Sequence, residues 1–320
     1  MMTRIRGKKS RWWAIAIVAI AVVLNGCNDD NAETESDRPQ VVATSTIIAD
    51  LTAKVGGEEI ELTRILKAGE DPHIYEPVPE DTIALERADL IFYNGYNLEP
   101  ALIRIAQSTG VKAMKVAVGE KVEALKNTNY GQNLPDPHVW GDAENGIVMV
   151  EAIRDALIEL SPSDREVFEE NAKKLQVSLQ RLDVWIGEQI ATIPPENRKL
   201  VTTHDAFEYY ARAYGLEVTG TLIGMSTEEQ PSAQTVKTLA DDIKAAGIPA
   251  IFAETTINPT LIETVAQEAG VKLSDHELYS DSIGVIGSEG DSYVKMLISN
   301  THTIVKSLSG SYVPFTEREL

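Results

Sequence analysis

Phe168, Ala172, Leu175, Leu179, Leu182, Ile186 and Ile190 follow one another at steps of four and three. That spacing is one face of an α-helix. Just ahead, Ser161-Pro162-Ser163-Asp164 supplies a capping residue, a proline for the first turn and an acid for a capping box. Pro194-Pro195 ends the run. From Asp164 to Thr192 the helix has 29 residues, roughly 43 Å at 1.5 Å per residue. One element of that length constrains everything packed on it. It can run the height of two lobes and hinge them stiffly, or lie on the surface of one large domain.

The flanking sequence alternates strand and helix. Val41–Thr44 reads as a strand followed by a helix near Ile47–Val55. Ile60–Leu66 and the apolar run Leu90–Asn94 read as strands on either side of a helical Asp81–Ala88. The same order restarts after the long helix. Strands are expected at Lys199–Thr202, Glu217–Leu222 and Ala250–Ala253, and helices at Ala206–Tyr214, Ser232–Ala246, Pro259–Ala269 and Tyr293–Leu308. Alternation of this kind predicts an α/β fold with parallel sheets, and its two rounds of similar size suggest two lobes.

Ahead of this body lies a different kind of segment. Arg4, Arg6, Lys8, Lys9 and Arg11 precede an uncharged run of thirteen residues, Trp12 to Leu24. About 20 apolar residues are needed to span a bilayer, so the run fits the apolar region of a secretory signal. It ends Leu24-Asn25-Gly26-Cys27, and Cys27 is the only cysteine in the chain. This resembles a bacterial lipobox, whose cysteine is lipidated and becomes the new N-terminus. Asn25 departs from the small or aliphatic residue usual there. The alternatives are an uncleaved anchor and an ordinary signal peptide. Residues 28–40 are polar and acidic and read as a flexible tether. A chain processed at Cys27 has no thiol left for an internal disulfide, so a packed core must stabilise it. The 43% hydrophobic and 24% charged residues are ordinary for a folded domain. The formal charge is −20, or −25 once the five N-terminal cations are set aside. A surface that acidic argues against nucleic acid as a partner.

Five histidines occur, and three stand in unusual places. Asp-Pro-His appears twice, at Asp71-Pro72-His73 and Asp136-Pro137-His138, each in a loop context. Proline fixes the approach of the chain, and the aspartate can orient the imidazole from behind. His204 follows a strand in Thr202-Thr203-His204-Asp205-Ala206-Phe207. Open α/β sheets bind ligands at strand ends such as these. Three imidazoles need a fourth donor to close a tetrahedral site. Asp281, in Tyr279-Ser280-Asp281-Ser282-Ile283-Gly284, is the best candidate, with Glu254 as runner-up ligand or acceptor behind one. His276, in a polar stretch, and His302, expected mid-helix and solvated, are left out.

Taken together, Gly69–Pro77, Asp136–Trp140, His204-Asp205-Ala206-Phe207 and Ser280-Asp281-Ser282 resemble the metal-specific solute-binding lipoproteins of bacterial ABC importers, the receptors for zinc and manganese. Tyr209–Leu216 and Glu254–Pro259 fit as well, and the resemblance runs from Val41 to the C-terminus. It implies two (β/α) lobes with small parallel sheets joined by one long rigid backbone helix. The implied divisions are a signal peptide at 1–26, a tether at 27–40, a lobe at 41–163, the helix at 164–193 and a second lobe at 194–320. It further implies a metal at the lobe interface, held by His73 and His138 from the first lobe and His204 and Asp281 from the second. The partner implied is a membrane permease. Cys27 would carry the lipid, and a monomer is expected. Three imidazoles with one carboxylate favour zinc over manganese by affinity order. Manganese-dedicated members of the family usually carry a glutamate where this chain has His204. Against zinc, Glu120–Pro135 is short and lacks the histidines of the loop that zinc-dedicated members often have.

Two other readings bear on the same residues. A secreted zinc hydrolase would use only the three histidines as ligands, with Asp281, Glu254 or Glu76 as general base toward a bound water. No His-Glu-x-x-His and no Gly-x-Ser-x-Gly occurs to support it. A surface adhesin role is compatible with the receptor and leaves no readable trace.

Overall fold

Val41, Val42 and Ala43 are all buried, because strand β1 (Gln40–Ala43) sits inside a four-stranded parallel sheet between β2 (Glu61–Arg64) and β3 (Leu90–Tyr93). Strand β4 (Met114–Ala117) pairs with β3, giving the order β2-β1-β3-β4. The computed structural model describes residues 38–109, 111–127 and 134–316. The N-terminal basic segment, the apolar run, Cys27 and the tether up to Asp37 lie outside the described residues. Among the described residues no helix is long and apolar enough to cross a membrane.

Helices cover this sheet as right-handed crossovers require. They are α1 (Thr46–Gly56), α2 (Pro79–Arg87) and α3 (Pro100–Ser108). The Ser45 hydroxyl caps α1 by accepting from Ile48 N–H, and Pro79 and Pro100 open α2 and α3. A short antiparallel pair, β5 (Lys126–Asn127) and β6 (Leu134–Pro135), leads into α4 (Ala143–Leu160).

The long helix α5 spans Arg165–Ala191, 27 residues, or roughly 40 Å. All seven stripe residues are buried. Its expected cap differs in detail. Pro162–Asp164 forms a single 3₁₀ turn ahead of α5, and the Ser161 hydroxyl closes that turn on the Asp164 carboxylate rather than capping α5 itself.

After α5, β7 (Lys199–His204), α6 (Glu208–Tyr214), β8 (Glu217–Ile223), α7 (Ala233–Ala246), β9 (Ala250–Ile251), α8 (Thr260–Ala269), β10 (Lys272–Leu273) and α9 (Tyr293–Ser307) follow. β7 pairs with β8, and β9 with β10, all parallel. The two pairs meet where Phe252 N–H donates to the Val201 carbonyl at 3.0 Å. The order is therefore β8-β7-β9-β10, the arrangement of the first sheet repeated. The molecule is a two-lobed α/β fold of small parallel sheets.

Burial divides into three clusters. One lies on the outer side of the first sheet, around Val42, Leu85 and Ile91. A second, around Val201, Leu239 and Val265, belongs to the second lobe. The largest joins both lobes: Val41 and Phe92 of the first share it with Leu200 and Phe252 of the second, through Phe168, Leu179 and Leu182 of α5.

Candidate metal centre

Each of the four expected residues sits at or beyond the C-terminal end of a strand. His73 is on the loop after β2, His138 follows β6, His204 is the last residue of β7, and Asp281 lies on the loop after β10. All four are buried, His138, His204 and Asp281 completely. One donor atom from each lies within 4.8 Å of every other.

The short edges of this cluster are informative. His73 Nε2 is 3.3 Å from His138 Nε2, His138 Nε2 is 3.5 Å from Asp281 Oδ1, and His204 Nε2 is 3.1 Å from Asp281 Oδ2. A tetrahedral ion with nitrogen ligands at 2.0–2.1 Å has edges of about 3.3–3.4 Å. His204 Nε2 and both Asp281 oxygens make no hydrogen bond, although they are buried. Unsatisfied donors and acceptors are rare in a folded interior and expensive to keep. Converging nitrogen and oxygen atoms, some of them buried with no hydrogen bond, are an arrangement that could hold a metal ion.

The ring orientations have causes. Asp136 Oδ1 lies 2.7 Å from His138 Nδ1 and also accepts from the His138 backbone N–H at 2.9 Å. Glu254 holds His204 the same way, with Oε1 on the backbone N–H at 2.8 Å and Oε2 on Nδ1 at 2.5 Å. In both cases the carboxylate fixes Nδ1 and leaves Nε2 facing inward. The first Asp-Pro-His differs. Asp71 accepts only the backbone N–H of His73, and its other oxygen accepts from the Thr227 hydroxyl at 2.6 Å. It ties its loop to the second lobe instead of orienting the ring.

Electrostatics follow from burial and neighbours. Burial lowers His73 to about 3, the neighbouring Asp281 only partly opposing it. Burial also acts against charge on His204, but Glu254 and Asp281 outweigh it and raise the imidazole well above its ordinary value. Burial pushes Asp281 upward, yet the three imidazoles, His204 foremost, hold the carboxyl below its usual range.

The first lobe grips the loop of Asp281, which the second lobe carries. Trp140 Nε1 donates to the Ser280 carbonyl at 2.9 Å, and Gly69 N–H donates to the Ser282 hydroxyl at 2.8 Å. Neither Trp140's bond nor Thr227 was legible in advance, since each joins positions far apart in the chain. Glu76, a candidate base for a hydrolase, is exposed and away from this cluster. Both oxygens of Glu254 are committed to His204. His276 and His302 lie apart from the centre, their rings 6.4 Å from each other. His302 is half-buried and its ring packs at a tilt on Tyr312 with centroids 4.5 Å apart, not solvated as expected.

Comparison with known proteins identifies the family. The family described as zinc-uptake complex component A, periplasmic, matches residues 41–307. A manganese-binding lipoprotein, MntA, of Halalkalibacterium halodurans is 34% identical over 93% of this chain and 98% of its own. The manganese ABC transporter substrate-binding lipoprotein PsaA of Streptococcus pneumoniae is 33% identical over 90% of this chain and 96% of its own. Among solved structures, the periplasmic zinc-binding protein TroA of Treponema pallidum superposes with a TM-score of 0.81 at 34% identity, covering 85% of this chain and 99% of TroA. The chain belongs to the zinc-uptake complex component A family, the metal-specific solute-binding proteins of bacterial ABC importers.

Proposed function

We propose that the protein captures a divalent transition-metal ion outside the cytoplasm and delivers it to the permease of an ABC importer. His73, His138, His204 and Asp281 are the ligands in this reading. The observation that carries it is the convergence of four buried side chains, among which His204 Nε2 and both Asp281 oxygens lack a hydrogen bond. Four protein ligands saturate a tetrahedral ion and leave no position for an attacking water. That suits capture and not hydrolysis, and the family is one of solute-binding proteins, not enzymes.

Zinc is the preferred ion. Three imidazoles and a carboxylate at tetrahedral spacing suit zinc better than manganese, which favours more numerous oxygen ligands. The relatives' names include both ions, so manganese is the competitor to test. Lipidation of Cys27 anchors the protein to the membrane, in keeping with the relatives' description as lipoproteins. The protein acts as a monomer, with a first lobe at 41–163, a connecting helix at 164–193 and a second lobe at 194–320.

Titration of the metal-stripped protein with zinc and manganese, separately and in competition, tests the reading. One ion held per chain, lost on replacing His73 or Asp281 with alanine, is the expected result. Binding of neither ion would remove the function proposed here. Replacing Cys27 with serine should release the protein from membranes, and retention there would mean an uncleaved anchor. Size-exclusion with light scattering reads the monomer directly.

A further inference from the structure

The turn that carries His138 is braced from a place the ligand set does not include. Asn94 directly follows the central strand β3 and is completely buried. Its side-chain N–H donates to the Pro137 carbonyl at 2.9 Å, one residue before His138. Asn94 is in turn fixed at its backbone, where its N–H donates to Glu99 Oε1 at 2.6 Å. The same oxygen accepts from the Thr44 hydroxyl at 2.8 Å, so Glu99 is tied to the end of β1 as well.

Making this ring of contacts requires an unusual backbone. Gly95, Tyr96 and Asn97 have φ values of 84°, 48° and 61°, three left-handed residues in succession, two of them not glycine. Conformations of this kind persist only where surroundings over-determine them, and they cluster at functional sites. Here Glu120 accepts from Tyr96 N–H at 3.0 Å, and the Tyr96 hydroxyl donates to the Val122 carbonyl at 2.8 Å. Gly119 leaves room for the brace, since a Cβ there would lie 2.7 Å from Asn94 Oδ1.

The other attachments of the turn leave little slack. Tyr209 of the second lobe donates to the Asp136 carbonyl at 3.0 Å, and His138 itself is held by Asp136. Among the described residues, only the Asn94 bond ties the turn's carbonyls by a side chain to the end of one of the first sheet's central strands.

We propose that Asn94, locked by Glu99 through the left-handed Gly95-Tyr96-Asn97 turn, is a positioning residue that fixes His138 Nε2 and so narrows the site toward a small tetrahedral ion. This rests on the reading of the four-residue cluster as a metal centre. Without the brace the Pro137–His138 segment gains freedom, and the loss falls on zinc, a small ion that needs all four donors at short range, more than on a larger ion that can complete its shell with other oxygen ligands. Partners one shell removed from a metal are typically worth 10–100-fold in affinity.

The test loads wild type, Asn94→Ala and Asn94→Ser with cobalt(II) as a visible probe of coordination, and measures zinc and manganese affinity on the same proteins. Serine is too short to reach Pro137 but keeps a polar group in a buried place. Glu99→Ala unties the brace from its far side and serves if neither Asn94 variant folds. The expected outcome is an altered cobalt spectrum, a loss of zinc affinity of at least tenfold, and a smaller loss for manganese. A folded variant with the wild-type cobalt spectrum overturns the proposal, whatever its thermal stability. Failure of the wild type to bind cobalt, zinc or manganese would sink the metal-centre reading itself, and is thus told apart.

Discussion

Asp136 and Glu254 perform one task from opposite lobes, each gripping a histidine by its backbone N–H and its Nδ1. Asp71 occupies the matching place in the first Asp-Pro-His but touches only the backbone of His73. Asp136→Ala and Glu254→Ala should therefore each lower zinc affinity 10–100-fold, and Asp71→Ala should lower it less. Calorimetric titration ranks the three, and a larger loss for Asp71 would mean its tie to Thr227 controls the site. Glu99 gives a second expectation, on stability. Burial raises its carboxyl to about 7, against hydrogen bonds from Asn94 and Thr44 that lower it. An acid whose folded pKa lies above its unfolded value of 4.5 contributes stability that is complete below pH 4.5 and is lost as pH rises toward 7 and beyond. Over that window the change is about 3 kcal/mol. Comparing metal-free wild type with Glu99→Gln by denaturant unfolding at pH 5 and pH 8 isolates it from the other titrating groups. The gap should move in favour of the variant at the higher pH, and a constant gap would mean Glu99 is ionised throughout. The residues of the cluster were legible because histidine is scarce and Asp-Pro-His repeats within one chain. Asn94, Glu99 and Thr227 were not. Their roles depend on which loops meet, and no local pattern carries that.

At the level of elements, periodicity revealed α5 and missed its neighbour. Helix α4 runs 18 residues against it, yet Gly146, Ile147, Val148 and Val150 are weak helix formers. Packing against α5 and α1, not propensity, holds that segment helical. Strand β9 is shorter than the expected Ala250–Ala253, and β10 had no readable signal: their pairing continues as the Glu254–Leu278 bridge, where the chain turns toward the site. Gly146 also supports a test with an unusual sign. Glycine to alanine inside a helix ordinarily stabilises by 0.5–1 kcal/mol, by roughly that order here too if nothing stood in the way. A Cβ at Gly146 would lie 2.6 Å from the Tyr293 hydroxyl and 2.8 Å from its ring. Tyr293 cannot retreat easily, being fully buried with its hydroxyl donating to the Trp140 carbonyl at 2.7 Å. Gly146→Ala should therefore destabilise, by about 1–3 kcal/mol as overpacking does. A rise in the denaturation midpoint would show that α9 shifts freely against α4. Because Trp140 also grips the Asp281 loop, the same variant reports whether strain there reaches the site.

For the whole molecule, the decisive feature is where the apolar core lies. Each lobe has a cluster of its own, but the largest runs through α5 and draws residues from both sheets. Lobes joined in this way resist independent opening, because separating them exposes a shared interior and not a polar interface. The site sits across the same junction, bridged by Trp140 to Ser280 and Asp71 to Thr227. Metal bound there would act on both lobes together. Calorimetry of the metal-free protein should accordingly show one cooperative transition, with van't Hoff and calorimetric enthalpies in agreement. Zinc at a free concentration 100 times its dissociation constant adds about 2.7 kcal/mol. For a domain of this size that raises the midpoint by roughly 4–5 °C, moving the whole transition and not a part of it. Two resolved transitions in the metal-free protein, with zinc shifting one, would assign the lobes separate stabilities and leave α5 a tether. A single transition that zinc shifts intact would instead mean that release at the permease proceeds by loosening local contacts around Asp281, since no whole lobe could swing away without unfolding the core it shares.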